Sequence, residues 1–424
     1  MTALADMSAA DRTALYAEVA KQYKLISGNR LSLDLSRGKP AADQLSLSNG
    51  LEEVIGGDYR AADGTDVRNY GGLRGLPEAR ALGAELLGAP AEHVIAGGNS
   101  SLSLMHLVTS TALNQGLWQD DRAWAKAERP TLIAAVPGYD RHFALTEALG
   151  IDMVNVAMND DGPDLDEIRA LVRNDANVKG IWCVPKYSNP TGCVYSDAVV
   201  DALAKIPAEA ASDDFVVLWD NAYAVHDVEF PAERLACIFE ASVTHGTQDH
   251  IVQFASTSKI TFSGAGVAFV ASGSTVLNTL EEQLQVMTIG PDKVNQLRHS
   301  RFLNGRIQDH MRGHAALLAP KFKVVQETLH NELGDLKIAQ WTQPKGGYFV
   351  SLDLNDHLAS RVVELARDVG LTLTPAGATF PGQQDPQDRN VRIAPTFASI
   401  EALTEAMLVL TLCIKLATLE KINV

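Results

Sequence analysis

A chain of 424 residues is long enough for two or three domains, or for one large domain with a smaller companion, and 46% of its residues are apolar, enough for a sizeable core. Its formal charge of −16 disfavours nucleic acid and anionic membrane as partners, while a local arginine can still hold a small anionic substrate. The cysteines at 183, 193, 237 and 413 form no C-x-x-C pair, which points to free thiols in a reducing compartment. Residues 1–21 alternate alanine with charged side chains and contain no apolar core of a signal peptide. No apolar run is expected to reach membrane-span length, so the sequence predicts a cytoplasmic protein.

In chain order, residues 8–26 show helical spacing in Leu15, Val19, Tyr23 and Ile26, with Ser8 as N-cap and Gly28 as stop. An extended segment follows from Leu31 to Pro40 and carries Arg37-Gly38-Lys39-Pro40; a short helix is predicted over 44–55. Residues 56–75 form a long loop rich in Gly, Asp and Arg that includes Arg68-Asn69-Tyr70-Gly71-Gly72; loops of that length in compact enzymes are usually functional. A helix at 77–87 precedes a repeated alternation of strand and helix. Strands are predicted at 94–96, 131–136, 153–157, 180–184, 215–219, 251–254 and 264–270. This alternation argues for a mostly parallel sheet of seven strands, covered on both faces by helices.

In such sheets ligands bind beyond the carboxyl ends of the strands, and the polar loops of this chain lie there. They are Gly97-Gly98-Asn99-Ser100-Ser101, Pro137-Gly138-Tyr139, Ser188-Asn189-Pro190-Thr191-Gly192, Asp220-Asn221-Ala222-Tyr223 and Ser256-Thr257-Ser258-Lys259. A lysine at the end of a buried strand is costly unless paired or neutralised, and a neutral lysine is a nucleophile that can form an imine with an aldehyde. Each loop also has an ordinary structural explanation. Lys259 could be solvated, Asp220 could cap a helix, and Asn-Pro-Thr-Gly is a good turn anywhere. After Gly273 the chain is helical, with a break at Gly290-Pro291 and a second stretch reaching about Leu333. A smaller α/β unit follows, with strands at 347–352 and 390–394 and helices at 356–369 and from 399 onward. The domain organisation expected is residues 1–45 packing on the small unit, 46–310 as the large domain and 311–424 as the small one.

Taken together and in this order, Ser-Asn-Pro-Thr-Gly, Asp-x-x-Tyr, Ser-x-Ser-Lys and a late arginine in an apolar strand resemble the fold-type I aminotransferases that use pyridoxal phosphate. The wording Ser-Thr-Ser-Lys-Ile-Thr-Phe-Ser-Gly-Ala-Gly, with Gly-Gly-Asn-Ser-Ser-Leu and Arg-Asn-Tyr-Gly-Gly-Leu-Arg-Gly, is most similar to the subgroup Ic bacterial aspartate aminotransferases. The resemblance implies a role for each matching residue. Lys259 would carry the cofactor and shuttle the substrate proton, and Asp220 would pair with the pyridine nitrogen. Asn189 and Tyr223 would donate to the phenolate oxygen, and Tyr139 would stack on the ring. Ser100, Ser101, Ser256 and Ser258 would bind the phosphate. Tyr70 would reach the phosphate of a neighbouring subunit, which implies a homodimer. Arg392, with Asn189 and the backbone N–H of Gly38, would hold the substrate α-carboxylate.

One departure stands out. The family usually places a phosphate-binding arginine about eight residues after the lysine, and here that stretch reads Gly264-Ala265-Gly266-Val267. The expected activity is transfer of an α-amino group between aspartate and 2-oxoglutarate. Arg37, Lys39, Arg141 and Lys186 are the candidates for the side-chain carboxylate. Two other functions are alternatives: a ligand-sensing module of a transcription regulator, disfavoured by a short and non-basic N-terminal segment, and a β-lyase or decarboxylase using the same cofactor. His310 and His314 share a helix face, but without the Glu of His-Glu-x-x-His no metal is expected.

Overall fold

The computed structural model describes residues 3–28, 31–118 and 122–422. Its largest sheet is built from β1 (Val94–Ala96), β2 (Thr131–Val136), β3 (Asp152–Asn159), β4 (Val178–Cys183), β5 (Val216–Asp220), β6 (Ile251–Ser256) and β7 (Ala268–Ala271). In space the order is β1-β7-β6-β5-β4-β2-β3. β7 runs antiparallel to both its neighbours, and the other pairings from β6 to β3 are parallel. The fold is therefore the mixed, mostly parallel α/β sheet of the fold-type I transferases. Every residue of β4 and β5 is buried, as a strand covered on both faces requires. A two-residue strand, Gly162–Pro163, extends the sheet beyond the expected seven strands by pairing antiparallel with the end of β3.

The chain then turns through three helices, Ser274–Met287, Lys293–Leu303 and Ile307–Leu329. Two breaks separate them where the sequence pattern predicts one. The second falls at Asn304-Gly305-Arg306, where Gly305 adopts φ +65°, a conformation that favours glycine. The helix predicted over 44–55 is likewise divided, into Ala42–Ser46 and a 3₁₀ turn at Asn49–Glu52. Beyond the long helix, β8 (Ala339–Trp341), β9 (Val350–Leu354) and β10 (Asn390–Ile393) form an antiparallel sheet. β8 escapes the sequence pattern because its three residues, Ala339-Gln340-Trp341, are not fully buried and form no continuous apolar run like Val94-Ile95-Ala96.

The N-terminal helix Ala9–Ser27 is capped by Ser8, whose hydroxyl accepts from the Asp11 N–H, and ends at Gly28. Leu33–Asp34 pairs in parallel with Leu371–Thr372, and Leu35 joins one buried cluster with Val325, Leu352 and Leu410. The C-terminal helix Ile400–Ile422 corrects an expectation: it is long and apolar enough to cross a membrane. Two thirds of its apolar window is buried inside the protein, so its hydrophobicity is that of a core helix.

Candidate active site

The carboxyl ends of β5 and β6 set the centre of the site. Lys259 follows β6 in the turn that leads to β7. Its amine sits 4.8 Å from the centre of the Tyr223 ring, and burial pushes its pKa below the usual lysine range despite the opposing pull of Asp220. Asp220 closes β5 and is 2% exposed. One of its oxygens, Oδ2, lies 3.0 Å from His142 Nε2. Its other oxygen, Oδ1, is buried and has no hydrogen-bond partner among the described residues. A buried carboxylate oxygen left without a donor is expensive, on the order of 1–3 kcal/mol or more. A pyridinium N–H is the donor this geometry suits, so the residues present fit pyridoxal phosphate.

Sequence reasoning missed His142. It stands 78 positions from Asp220, stacked on Trp182 at 4.3 Å and 12°, with Tyr139 edge-on at 4.9 Å. Its only sequence signal was its place in the helix Asp140–Ala148, directly after Tyr139 and the β2 loop. Tyr223 is buried, and its hydroxyl pKa is raised chiefly by that burial, then by the fields of Tyr139 and Asp220. Asn189 is also buried, and its Oδ1 accepts from Arg392 Nη1 at 3.3 Å.

A second group of residues gathers at the end of β1. Gly97 N–H donates to the Ala268 carbonyl and Ala268 N–H to that of Gly98, which sets the N-terminus of the helix Ser101–Asn114 beside the lysine loop. Ser258 Oγ donates to the Asn99 carbonyl at 3.2 Å, and the Ser258 N–H reaches Ser256 Oγ at 3.4 Å. Ser100 occupies the N-cap position without using its side chain to cap. The Ser256 and Ser258 hydroxyls thus lie close to the loop that leads into this helix N-terminus, an arrangement suited to an anion. At the stretch that lacks the arginine, a Cβ on Gly266 would lie 2.9 Å from the Ser258 nitrogen. Asn295 Nδ2 closes that loop by donating to the carbonyls of Ala265 and Gly266, each at 2.9 Å.

Arg392 lies on β10, opposite Ser351 of β9, and is 8% exposed. Its guanidinium stands 4.9 Å from the centre of the Phe349 ring, and Nη1 contacts Asp140 Oδ1 at 2.8 Å. Gly38 packs against that same ring: an added Cβ would fall 2.1 Å from Phe349 Cζ, so a larger residue would have to displace the ring. Among the four candidate side-chain cations, Lys186 is engaged, 2.8 Å from Asp227. Arg37 pairs with Asp34 at 2.5 Å, and the Lys39 amine lies 4.6 Å from the Phe397 ring centre. Arg141 shares a cavity of about 410 Å³ with Arg392 and Asp140. Tyr70 stands apart. It is 84% exposed, on a loop that Lys293 holds by donating to the carbonyls of Asn69 and Gly71 at 2.7 and 2.6 Å.

The profile of the aspartate aminotransferase family matches residues 7–424. The chain belongs to that family. It is 44% identical over 417 residues to an aspartate aminotransferase of Corynebacterium glutamicum, covering 97% of this chain and 95% of the relative. A crystal structure of an aspartate transaminase from the same organism superposes with a TM-score of 0.95 at 42% identity, over 99% of each chain. At 22% identity, an α-aminoadipate aminotransferase from Thermus thermophilus complexed with N-(5′-phosphopyridoxyl)-L-leucine shares the fold, with a TM-score of 0.75 over 92% of this chain and 93% of that one. The protein is a pyridoxal-phosphate-dependent transaminase of the aspartate aminotransferase type, and a regulator's sensing module is not favoured.

Around the lysine, this member of the family has a cluster of neutral histidines. His310 and His314 approach the Ile260 carbonyl with Nε2 at 2.7 and 2.9 Å, and His226 Nε2 lies 3.2 Å from the Lys259 carbonyl. Tyr348 donates to the Lys259 carbonyl at 3.4 Å, and His299 meets Thr261 Oγ1 at 2.9 Å. The expected shared face of His310 and His314 is therefore spent on holding this loop. Burial lowers the pKa of His226 to about 3, and of His299 and His314 to about 4. These groups bind protons in the unfolded chain, near 6.5, before they bind them in the fold. Stability is then complete above about pH 6.5 and falls as the pH drops towards 4, by up to about 1.4 kcal/mol per pH unit for each histidine. Melting temperatures measured from pH 7.5 to 5 should fall accordingly, and more shallowly in His314→Gln. A flat profile would mean that the folded protein holds these histidines charged.

Proposed function

We propose that the enzyme exchanges α-amino groups between aspartate and 2-oxoglutarate, with Lys259 as the group that moves the proton. The observation that carries the reading is the meeting at Tyr223 of a buried amine, a buried carboxylate with one oxygen unpartnered among the described residues, and the field of a buried arginine. Pyridoxal phosphate, when bound, supplies a sink for the electrons left on the substrate Cα. Asp220 Oδ1 is the partner for its pyridine N–H, with His142 holding the carboxylate in place. Asn189 and Tyr223 serve the phenolate oxygen and Tyr139 covers the ring. Ser100, Ser101, Ser256 and Ser258 serve the phosphate. Lys259, whose pKa is lowered by burial, takes the proton from the substrate Cα and returns it on the other side of the exchange.

Arg392, Asn189 and the Gly38 N–H serve the α-carboxylate. Arg141 serves the distal carboxylate of the dicarboxylic substrates, because it shares the Arg392 cavity while Lys186 and Arg37 are paired elsewhere. The large domain is assigned to residues 46–310 and the small one to 311–424, with 1–45 packed on the latter. Tyr70, Val286, Met287 and Ile289 are each more than 60% exposed, and the Gly71 N–H donates to the Ile289 carbonyl, which brings the two segments together. An apolar patch of this kind supports a homodimer in which each Tyr70 serves the other subunit's phosphate site. The four free cysteines support a cytoplasmic location.

The deciding experiment follows the absorption spectrum of the cofactor-loaded enzyme as single amino acids are added. Aspartate and glutamate should convert the cofactor, and 2-oxoglutarate should reverse the change. If neither dicarboxylic amino acid alters the spectrum while a neutral one does, the substrate assignment fails. Product analysis without a 2-oxo acid separates a β-lyase or decarboxylase. Arg392→Lys should lower kcat/KM about tenfold to a hundredfold, since an ammonium cannot fork onto a carboxylate. Near-parent kcat/KM would move the α-carboxylate site elsewhere.

A further inference from the structure

The guanidinium of Arg392 is not free in this structure. Its Nη1 is shared between Asp140 Oδ1 at 2.8 Å and Asn189 Oδ1 at 3.3 Å, while Nε is buried with no partner among the described residues. A buried guanidinium needs a counter-charge, and Asp140 supplies it. The two partners are unequally placed. Arg392 has 8% of its side chain exposed, fixed on β10 over Phe349, whereas Asp140 has 34% exposed and can rotate to water. Asp140 is also the first residue of the helix Asp140–Ala148, where unpaired N–H groups favour a carboxylate once it is released. It lines the same cavity as Arg141 and Arg392.

We propose that Asp140 is the resident carboxylate of the substrate arginine, holding Arg392 while the site is empty and giving it up to the carboxylate of the incoming substrate. This rests on Arg392 as the α-carboxylate receptor. Two carboxylates on one guanidinium would set like charges within a few ångströms of each other, which is unfavourable, so the mobile one leaves. The exchange has two consequences. The empty site keeps its buried arginine neutralised without recruiting an anion from solution. An uncharged ligand has nothing to offer Arg392 in place of Asp140, so the exchange selects for carboxylates before any chemistry begins.

Calorimetric titration of the cofactor-loaded enzyme with succinate, which has no amino or oxo group to react, tests the exchange. In Asp140→Asn the free enzyme loses the counter-ion but not the shape, so succinate should bind about tenfold tighter or more. Chloride should compete with succinate at lower concentrations than in the parent. Asp140→Ala should shift in the same direction, and melting temperatures identify any variant that has lost its fold. Arg392→Gln, titrated in parallel, should bind succinate poorly. If Arg392→Gln is impaired while both Asp140 variants bind unchanged or more weakly, Asp140 only positions the arginine and the exchange is overturned. Parent-like binding by Arg392→Gln would place the carboxylate elsewhere and overturn both the receptor role and the exchange built on it.

Discussion

Lys259→Ala is expected to lower kcat/KM on the order of 10⁴-fold, the upper range for losing a positioned proton-transfer group. The reasons are local. The lysine ends a buried strand, its amine lies against the Tyr223 ring, and burial holds its pKa below the usual lysine range. A lowered pKa favours the unprotonated amine, which can both bond to an aldehyde and accept a proton, and no other side chain in the cluster combines the two. Folding should not suffer. The amine is unfavourable where it sits, so the cofactor-free variant should melt close to the parent. Two measurements bear on the claim. Exchange of the substrate Cα proton should fall with kcat, and borohydride treatment of the loaded parent followed by peptide mapping should leave the pyridoxyl label on Lys259. A label on another lysine, or a variant within tenfold of the parent, would remove Lys259 from the centre of the site.

Asp220→Asn is expected to slow Cα-proton exchange on the order of 10³-fold, comparable to removing one strong electrostatic contact from a preorganised site. The carboxylate is buried at the end of β5, with Oδ2 held by His142 and Oδ1 without a donor among the described residues. A negative charge in that position favours a protonated ring nitrogen, and a protonated ring accepts electrons from Cα more readily. Asparagine keeps the size and can still bond His142, so the substitution tests charge and leaves packing in place. Cofactor binding should persist, measured by its absorbance, while exchange falls. A structural role alone predicts the reverse: a change of about 0.5–2 kcal/mol in folding free energy with the chemistry intact. Exchange at close to the parent rate would make Asp220 structural.

Both variants probe residues that stand out in the sequence because they sit where a pattern changes. The apolar runs of β2, β4, β5 and β6, each ended by a polar loop, report a parallel sheet through composition and period alone. That logic reaches the strand-end loops holding Tyr139, Asn189, Asp220 and Lys259, since hydrophobic periodicity is a property of neighbours in the chain. It also reaches the Ser8 cap, whose partner is three residues away. It does not reach Leu33–Asp34, Gly162–Pro163 or Ala339–Trp341, short segments that lack the continuous apolar run by which Val94–Ala96 is recognised.

Contacts between elements depend on how the elements pack, which no local pattern records. His142 meets Asp220 because the helix after β2 lies against the end of β5. Asp140 meets Arg392 across 252 positions because β10 is brought up to that helix. Lys186, a reasonable substrate cation in the sequence, is taken by Asp227, and the face shared by His310 and His314 turns to the Ile260 carbonyl. The sequence by itself determined the layered sheet, the order of its loops and the residue types at the strand ends, because burial and chain-local spacing dictate them. Only the tertiary structure decided which of those side chains are already bound to one another and which are left for a ligand, because in a close-packed interior every buried charge and donor must find its partner across the fold.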